Sequence, residues 1–428
     1  SLAEKRGLVN YGIGDLPAAV ADLDRTVVAG RRLGDRSIEG KGLAFRAFLE
    51  VYNHDFETAE VTLQSAWAIL GEGFEEVRPM ASLAMGNLLA TSNRMPEMLP
   101  LLEGIEELPA MPDAFTEGLW NWNRGLILYW LGQFDQAVSS LDEMSERAAR
   151  NVTNRLFNWW IRGMALASRG DYNSALPLLR KTVDMCERVG DWQVRSRVVN
   201  TIGWVFAELE DHEQALEWNR SGMDLVGSVS SLPDAEVEMN TRMNLADNLD
   251  ALGRPEEAEQ EFQAVEAAVR NPNKAQLWLL WRYSMHFFHS YGEHLLAGGE
   301  PAGALSYADE CLKVAEETGS EKYVVKGRRL RGQALIALGR LDDAEQDLST
   351  ALEVALALAN PPQLWKTHAA VGDLRRAQGR PEDARQSYGD ALSVIEAVAA
   401  GLTDEKLRQG LRHSAPAEAI RLTAEAGG

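Results

Sequence analysis

The sequence predicts an all-α fold: a solenoid of about ten helical hairpins with a C-terminal capping element. A small residue recurs at Gly7, Ala47, Gly86, Gly125, Gly163, Gly203, Ala246, Gly292, Gly332 and Gly372. Seven residues after each comes a turn position: Gly14, His54, Asn93, Gly132, Gly170, Glu210, Gly253, Gly299, Gly339 and Gly379. Five residues later stands Ala19, Ala59, Met98, Ala137, Ala175, Ala215, Ala258, Ala304, Ala344 or Ala384. Successive turn positions lie 40, 39, 39, 38, 40, 43, 46, 40 and 40 residues apart. A repeat of this length marks units that bury their apolar faces only by stacking on neighbours.

Taken in order, the repeats fill residues 1–402, with starts near 1, 37, 76, 115, 154, 193, 235, 277, 321 and 363. The first turns at Gly12-Ile13-Gly14 and ends its second helix at Leu33-Gly34-Asp35. The second ends at Leu70-Gly71. The third is degenerate, with Arg94-Met95-Pro96 at its turn and Met98 in the alanine column, and the connector 108–113 with two prolines follows. The fourth carries Gly132-Gln133-Phe134-Asp135-Gln136-Ala137. In the fifth, a helix over 156–169 is followed by the turn Gly170-Asp171-Tyr172. A second helix from about Asn173 stops at Gly190, the place for a left-handed glycine. Gly227 to Pro233 loosens the junction before the seventh repeat, and Asn271-Pro272-Asn273 the one before the eighth. Gly319-Ser320 and Asn360-Pro361-Pro362 end the eighth and ninth. Thr403 is placed to N-cap a helix to about Arg412, and a short helix follows Pro416, so 403–428 is assigned as the cap.

Composition limits function. With 64 acidic against 43 basic residues, the net charge of -21 repels phosphate backbones and anionic lipid, which speaks against nucleic acid and membrane as partners. Cys186 and Cys311 are far apart, each in an amphipathic helical pattern, and read as buried free thiols in a reducing compartment. No apolar run reaches the length of a membrane span and no signal peptide is evident, so a cytoplasmic location is expected. The chain opens at Ser1 and enters the first repeat at once, which reads as a piece of a longer polypeptide.

The motifs Trp159…Gly163…Gly170-Asp171-Tyr172…Ala175 and 132–137 resemble the tetratricopeptide repeat family, and the resemblance covers nearly the whole chain. The departure is the period, about 40 residues here against about 34 in the family. Such long repeats look like those of kinesin light chain. They also look like the C-terminal arms of bacterial signalling ATPases, including the maltose-regulon transcription activator. Gly379-Arg380-Pro381-Glu382-Asp383-Ala384 has that bacterial flavour. The resemblance implies a right-handed superhelix whose first helices line a concave groove. It also implies a non-catalytic sensor or docking arm of a larger regulator. The alternative it leaves is a scaffold or co-chaperone that grips a peptide without a switch.

Carried over position by position, the family's groove positions lie six and three before the small residue, and one, four and five after it. They select Trp122, Tyr129 and Trp130 in the fourth repeat, Trp160 in the fifth, and Arg197, Asn200 and Trp204 in the sixth. Later repeats add Asp247, His289, Glu293 and Arg329. The aromatic group is expected to form an apolar floor, the others to orient polar or charged groups of a guest. The competing reading is that longer helices carry the aromatic positions into packing between repeats. The partner expected is a protein, a peptide or a small effector, including the parent protein's own further domains.

Three other features complete the reading. His286, His289 and Glu293 share one helical face, but paired histidines on a polar face are commonly no metal site, and none is expected here. Arg46, Arg124, Arg162 and Arg331 each precede the small residue, where interior arginines call for carboxylate partners. No phosphate-binding loop, dinucleotide fingerprint, HExxH or nucleophile elbow is present, so neither enzymatic activity nor a cofactor is expected of this chain.

Overall fold

The computed structural model describes residues 3, 5–7, 10, 15–91, 94–106, 113–229 and 235–426. The turn positions Gly14 and Asn93, residues 108–112 of the connector and 230–233 of the loosened junction lie outside the described residues. Among the described residues all regular structure is helical, and the helices pack in adjacent pairs. The opening hairpins are formed by α1 (Leu16–Leu33), α2 (Arg36–Tyr52), α3 (Phe56–Gly71), α4 (Arg78–Leu89) and α5 (Met98–Glu106). The middle of the chain holds α6 (Ala114–Trp130), α7 (Phe134–Asp142), α8 (Glu146–Ala149), α9 (Val152–Ser168), α10 (Tyr172–Val189), α11 (Trp192–Glu208) and α12 (His212–Val229). Then come α13 (Ala235–Ala251), α14 (Pro255–Arg270), α15 (Leu280–Ala297), α16 (Pro301–Thr318), α17 (Glu321–Ala337) and α18 (Leu341–Leu358). The last are α19 (Pro361–Ala377), α20 (Pro381–Gly401), α21 (Glu405–Arg412) and α22 (Ala415–Ala426). None of them is long and apolar enough to cross a membrane.

Each periodic residue type has a physical cause. All eight described turn positions take a left-handed backbone, with φ between 58° at His54 and 85° at Gly170. That region is open to glycine and costly for other residues, so glycine fills six of the eight. Ala59, Ala137, Ala175, Ala215, Ala258, Ala304 and Ala344 are completely buried between paired helices. Gly163 shows how close that approach is: a Cβ there would stand 2.5 Å from Leu179 Cδ2. Left-handed residues Gly34, Gly190, Gly319 and Ala359 cap the ends of second helices. The cap helix α21 starts differently from expectation. Asp404, not Thr403, accepts its Leu407 amide, because Thr403 is bonded to Asn173 instead.

The chain forms two compact units. The first comprises residues 1–127, 139–158 and 273–279. Its core includes Phe45, Phe48, Leu49 and Leu63, and Trp278 packs on Tyr52 with ring centroids 5.5 Å apart. The arginine column finds partners here: Arg46 pairs with Asp24 and Glu50, and Arg124 donates to Ser140 Oγ. The second unit comprises residues 128–138, 159–272 and 280–428. Arg331, the column's member there, pairs with Asp347 and Asp309.

Candidate functional site

The second unit closes on itself. Asn360 Nδ2 donates to Ser168 O at 2.6 Å, and Asn173 Nδ2 to Gly401 O at 2.8 Å. Asn173 Oδ1 in turn accepts from Thr403 N and Oγ1. Two ion pairs add to this seam, Lys322–Glu208 at 3.4 Å and Lys366–Glu210 at 3.3 Å. The turn after α11 and the C-terminal end of α9 thus meet the N-terminal ends of α17 and α19. Glu210 explains one break in the glycine column. Its left-handed φ of 61° carries a penalty of about 1–2 kcal/mol. Only a side chain at that turn can reach both Lys366 and His212.

Closure leaves a cavity of about 660 Å³ within this unit. Its walls are the inner faces of α6, α9, α11, α13, α15, α17 and α19, all first helices of their hairpins, with turn residues such as Glu210 and Gly253. Two of these helices each carry charge of one sign. Helix α13 contributes Asp247 and Asp250 and no cation, whereas α17 contributes Lys322, Lys326 and Arg329 and no carboxylate. Trp130 and Trp204 supply apolar surface, each with a cation over its ring: Arg282 at 4.6 Å and Lys322 at 4.5 Å.

Asparagines form a second feature. Asn200, Asn240, Asn244 and Asn248 all line the cavity. Asn244 Nδ2 donates to Asn200 Oδ1 at 2.9 Å. That bond leaves the Asn200 amide donor and the Asn244 side-chain carbonyl acceptor with no partner among the described residues. Asn240 is held by Glu236, and Asn248 by His212 and the backbone carbonyl of Asn244.

Four of the chain's seven histidines also line the wall, each beside a carboxylate. His286 meets Asp247 at 2.8 Å, His294 Asp250 at 2.9 Å, His212 Glu210 at 3.2 Å and His289 Glu293 at 3.3 Å. Burial pushes the Asp247 carboxyl up, but His286, Lys326 and Ser290 together outweigh it and the net direction is down. Burial pulls His212 down, yet Glu210 and Asn248 leave it above its ordinary value. His289, buried with neither ring nitrogen hydrogen-bonded, falls to about 4. His286 and His289 turn to different carboxylates, and no set of three metal-ligating side chains converges among the described residues.

Of the residues selected from sequence, Tyr129, Trp130, Asn200, Trp204, Asp247, His289, Glu293 and Arg329 line the cavity, and Trp122, Trp160 and Arg197 do not. Trp122 belongs to the first unit, stacked on Phe157 with centroids 4.5 Å apart. Trp160 is buried against the next repeat, its Nε1 donating to Thr201 Oγ1. Arg197 pairs with the buried Glu236 at 3.5 Å. Packing between repeats claims all three. Reasoning by position left Arg282 and Lys322 unselected, both ten residues before the small residue of their helix. They extend the same helical stripe by one turn, so prolonging it would have found them. Glu210 had its own signal, a charged residue in the glycine column.

Comparison with known proteins agrees with this architecture. Tetratricopeptide repeat family models match residues 155–226, 239–264 and 326–346. No curated protein matches the chain in sequence. Among solved structures it is similar to a Rap protein complexed with competence and sporulation factor. The TM-score is 0.62 at 14% identity, covering 86% of this chain and all of that one. It is also similar to the apo form of the quorum sensor NprR from B. thuringiensis. Here the TM-score is 0.51 at 14% identity, covering 83% of this chain and 98% of that one. At such identities the likeness is one of fold.

Proposed function

We propose that this tetratricopeptide repeat protein is a peptide receptor. The cavity of its second unit holds a short extended peptide, and the array serves as the sensor arm of a larger bacterial signalling or transcription regulator. In this reading residues 1–402 are ten repeats and 403–428 their cap. The observation that carries it is the Asn200–Asn244 pair, which offers one free donor and one free acceptor to the cavity. A peptide unit needs that combination, since each presents one N–H and one C=O. The volume fits, because ligand sites run from about 300 to 1,000 Å³. The two similar structures above, one complexed with a competence and sporulation factor and one a quorum sensor, support a binding role by analogy of fold.

A switch is favoured over a passive grip because the closing ion pairs line the same cavity. Glu208, Glu210, Lys322 and Lys366 face the guest and also hold the seam. A guest that competes for these groups shifts the balance between closed and open arrangements by its differential affinity for them. The test is affinity selection from a random hexapeptide pool, with binding of the retained peptides measured by calorimetry. Asn200→Ala combined with Asn244→Ala is expected to weaken binding by roughly tenfold or more, since each lost hydrogen bond removes about 0.5–1.5 kcal/mol. Retained helical signal and unchanged affinity in that variant would sink the proposal.

A further inference from the structure

Helix α17 carries positive charge without a direct ion-pair partner: Lys326 and Arg329 feel Glu293 and Glu208 only at longer range. Arg329 is 2% exposed, and its Nη1 donates only to neutral groups, Gln363 Oε1 at 3.0 Å and Thr367 Oγ1 at 3.4 Å. Its Nη2 is buried and has no hydrogen-bond partner among the described residues. One turn earlier on the same face, Lys326 also lines the cavity. No carboxylate among the described residues lies within ion-pairing distance of it or of Arg329, and its ammonium rests 5.2 Å from the Tyr323 ring centroid. The contrast on the same helix is Arg331, which takes Asp347 and Asp309 outside the cavity. Buried charges are normally paired, because desolvation without a counter-ion is costly. A guanidinium fixed through one edge, with its other nitrogen idle in a cavity wall, is built to receive an anion.

We propose that Arg329 and Lys326 bind the C-terminal carboxylate of the guest, which sets the direction of the peptide in the cavity. This rests on the peptide reading above and adds an end to it. Helix α13, with Asp247 and Asp250 and no cation, offers negative charge to the remainder of the guest. A monoanion suits a site offering one free guanidinium nitrogen and one ammonium amid five cavity carboxylates.

The probe is N-acetyl-trialanine as the free acid, as its C-terminal amide, and inorganic phosphate in parallel, each titrated into the full chain by thermal shift and calorimetry. The free acid is expected to bind roughly tenfold tighter than the amide, as a charge-assisted hydrogen bond would give. Arg329→Gln is expected to reduce that preference to near unity without lowering the unliganded melting temperature, since the substitution removes an unpaired buried cation. Lys326→Gln, a milder change, should cut the preference partially, and Arg331→Gln should leave it intact. Equal binding of acid and amide by the wild type, a preference surviving Arg329→Gln, or phosphate outcompeting the acid would each overturn the inference. A clear acid preference without any retained hexapeptide would instead reject the receptor proposal and leave the carboxylate site standing.

Discussion

His289 shows how a single buried side chain ties the cavity to pH. An unfolded histidine titrates near about 6.5, whereas His289 in the fold sits at about 4. Burial is the main cause; Lys326 and Arg329 add to it, and Glu293 opposes it. Below pH 6.5 the unfolded chain therefore takes up a proton that the folded chain refuses. Stability falls as pH drops from there towards 4, and this contribution then levels off. His212 has the opposite sign: raised by Glu210, it contributes stability below its unfolded pKa that is lost as pH rises through its folded one. At pH 5 the His289 effect amounts to about 2 kcal/mol. His289→Gln should flatten the loss of stability between pH 7 and pH 5 by about that amount in urea denaturation. Parallel curves for the two proteins would show that His289 is protonated in the folded state. Spacing put His289 on the groove face and beside Glu293 four residues on, but its burial and its lack of hydrogen-bond partners come only from the three-dimensional arrangement.

The hairpin is the element in which sequence and structure correspond most directly. Its turn needs a left-handed residue, its inner columns need small ones, and both needs are local, so both leave a period in the chain. In the α9–α10 hairpin, Gly163 faces Leu179 at a distance that leaves no room for a Cβ. Gly163→Leu is expected to destabilise the protein by roughly 1–3 kcal/mol or more through overpacking. In a repeat array the loss is felt first by neighbouring interfaces, so amide exchange should quicken in α9 and α10 before the far repeats. Exchange that stays unchanged around residues 156–188 would contradict the close approach. The aromatic positions were less legible for a related reason. Trp122 and Trp160 have the spacing of groove residues, but each reaches the following hairpin, and apolar burial there outweighs exposure in the groove.

Closure of the second unit belongs to the largest scale, and no periodic signal announces it. Its bonds and ion pairs join residues 114 to 230 positions apart, between turns and helix starts whose local chemistry is already explained by capping. Asn360 illustrates this double use. Its Oδ1 caps α19 through the Gln363 amide, a role readable from Asn-Pro-Pro at a helix start, while its Nδ2 reaches Ser168 O, which is not. The side chain is fully buried, so no water replaces that bond when it is removed. Asn360→Asp keeps the capping oxygen and the size but sets a carboxylate oxygen against the Ser168 carbonyl, and so breaks the seam while keeping the cap. We expect it to cost roughly 1–3 kcal/mol or more, from the unsatisfied buried acceptor and the buried carboxylate beside it. The loss should register as faster exchange of amides near residues 168–173 and 360–364, with helical content preserved. Because Lys366 and Glu210 flank the same seam and line the cavity, guest peptide should also dissociate faster from this variant, with little change in its association rate. If dissociation is unaltered while the seam amides exchange freely, closure and binding are independent, and the cavity works without the ring that encloses it.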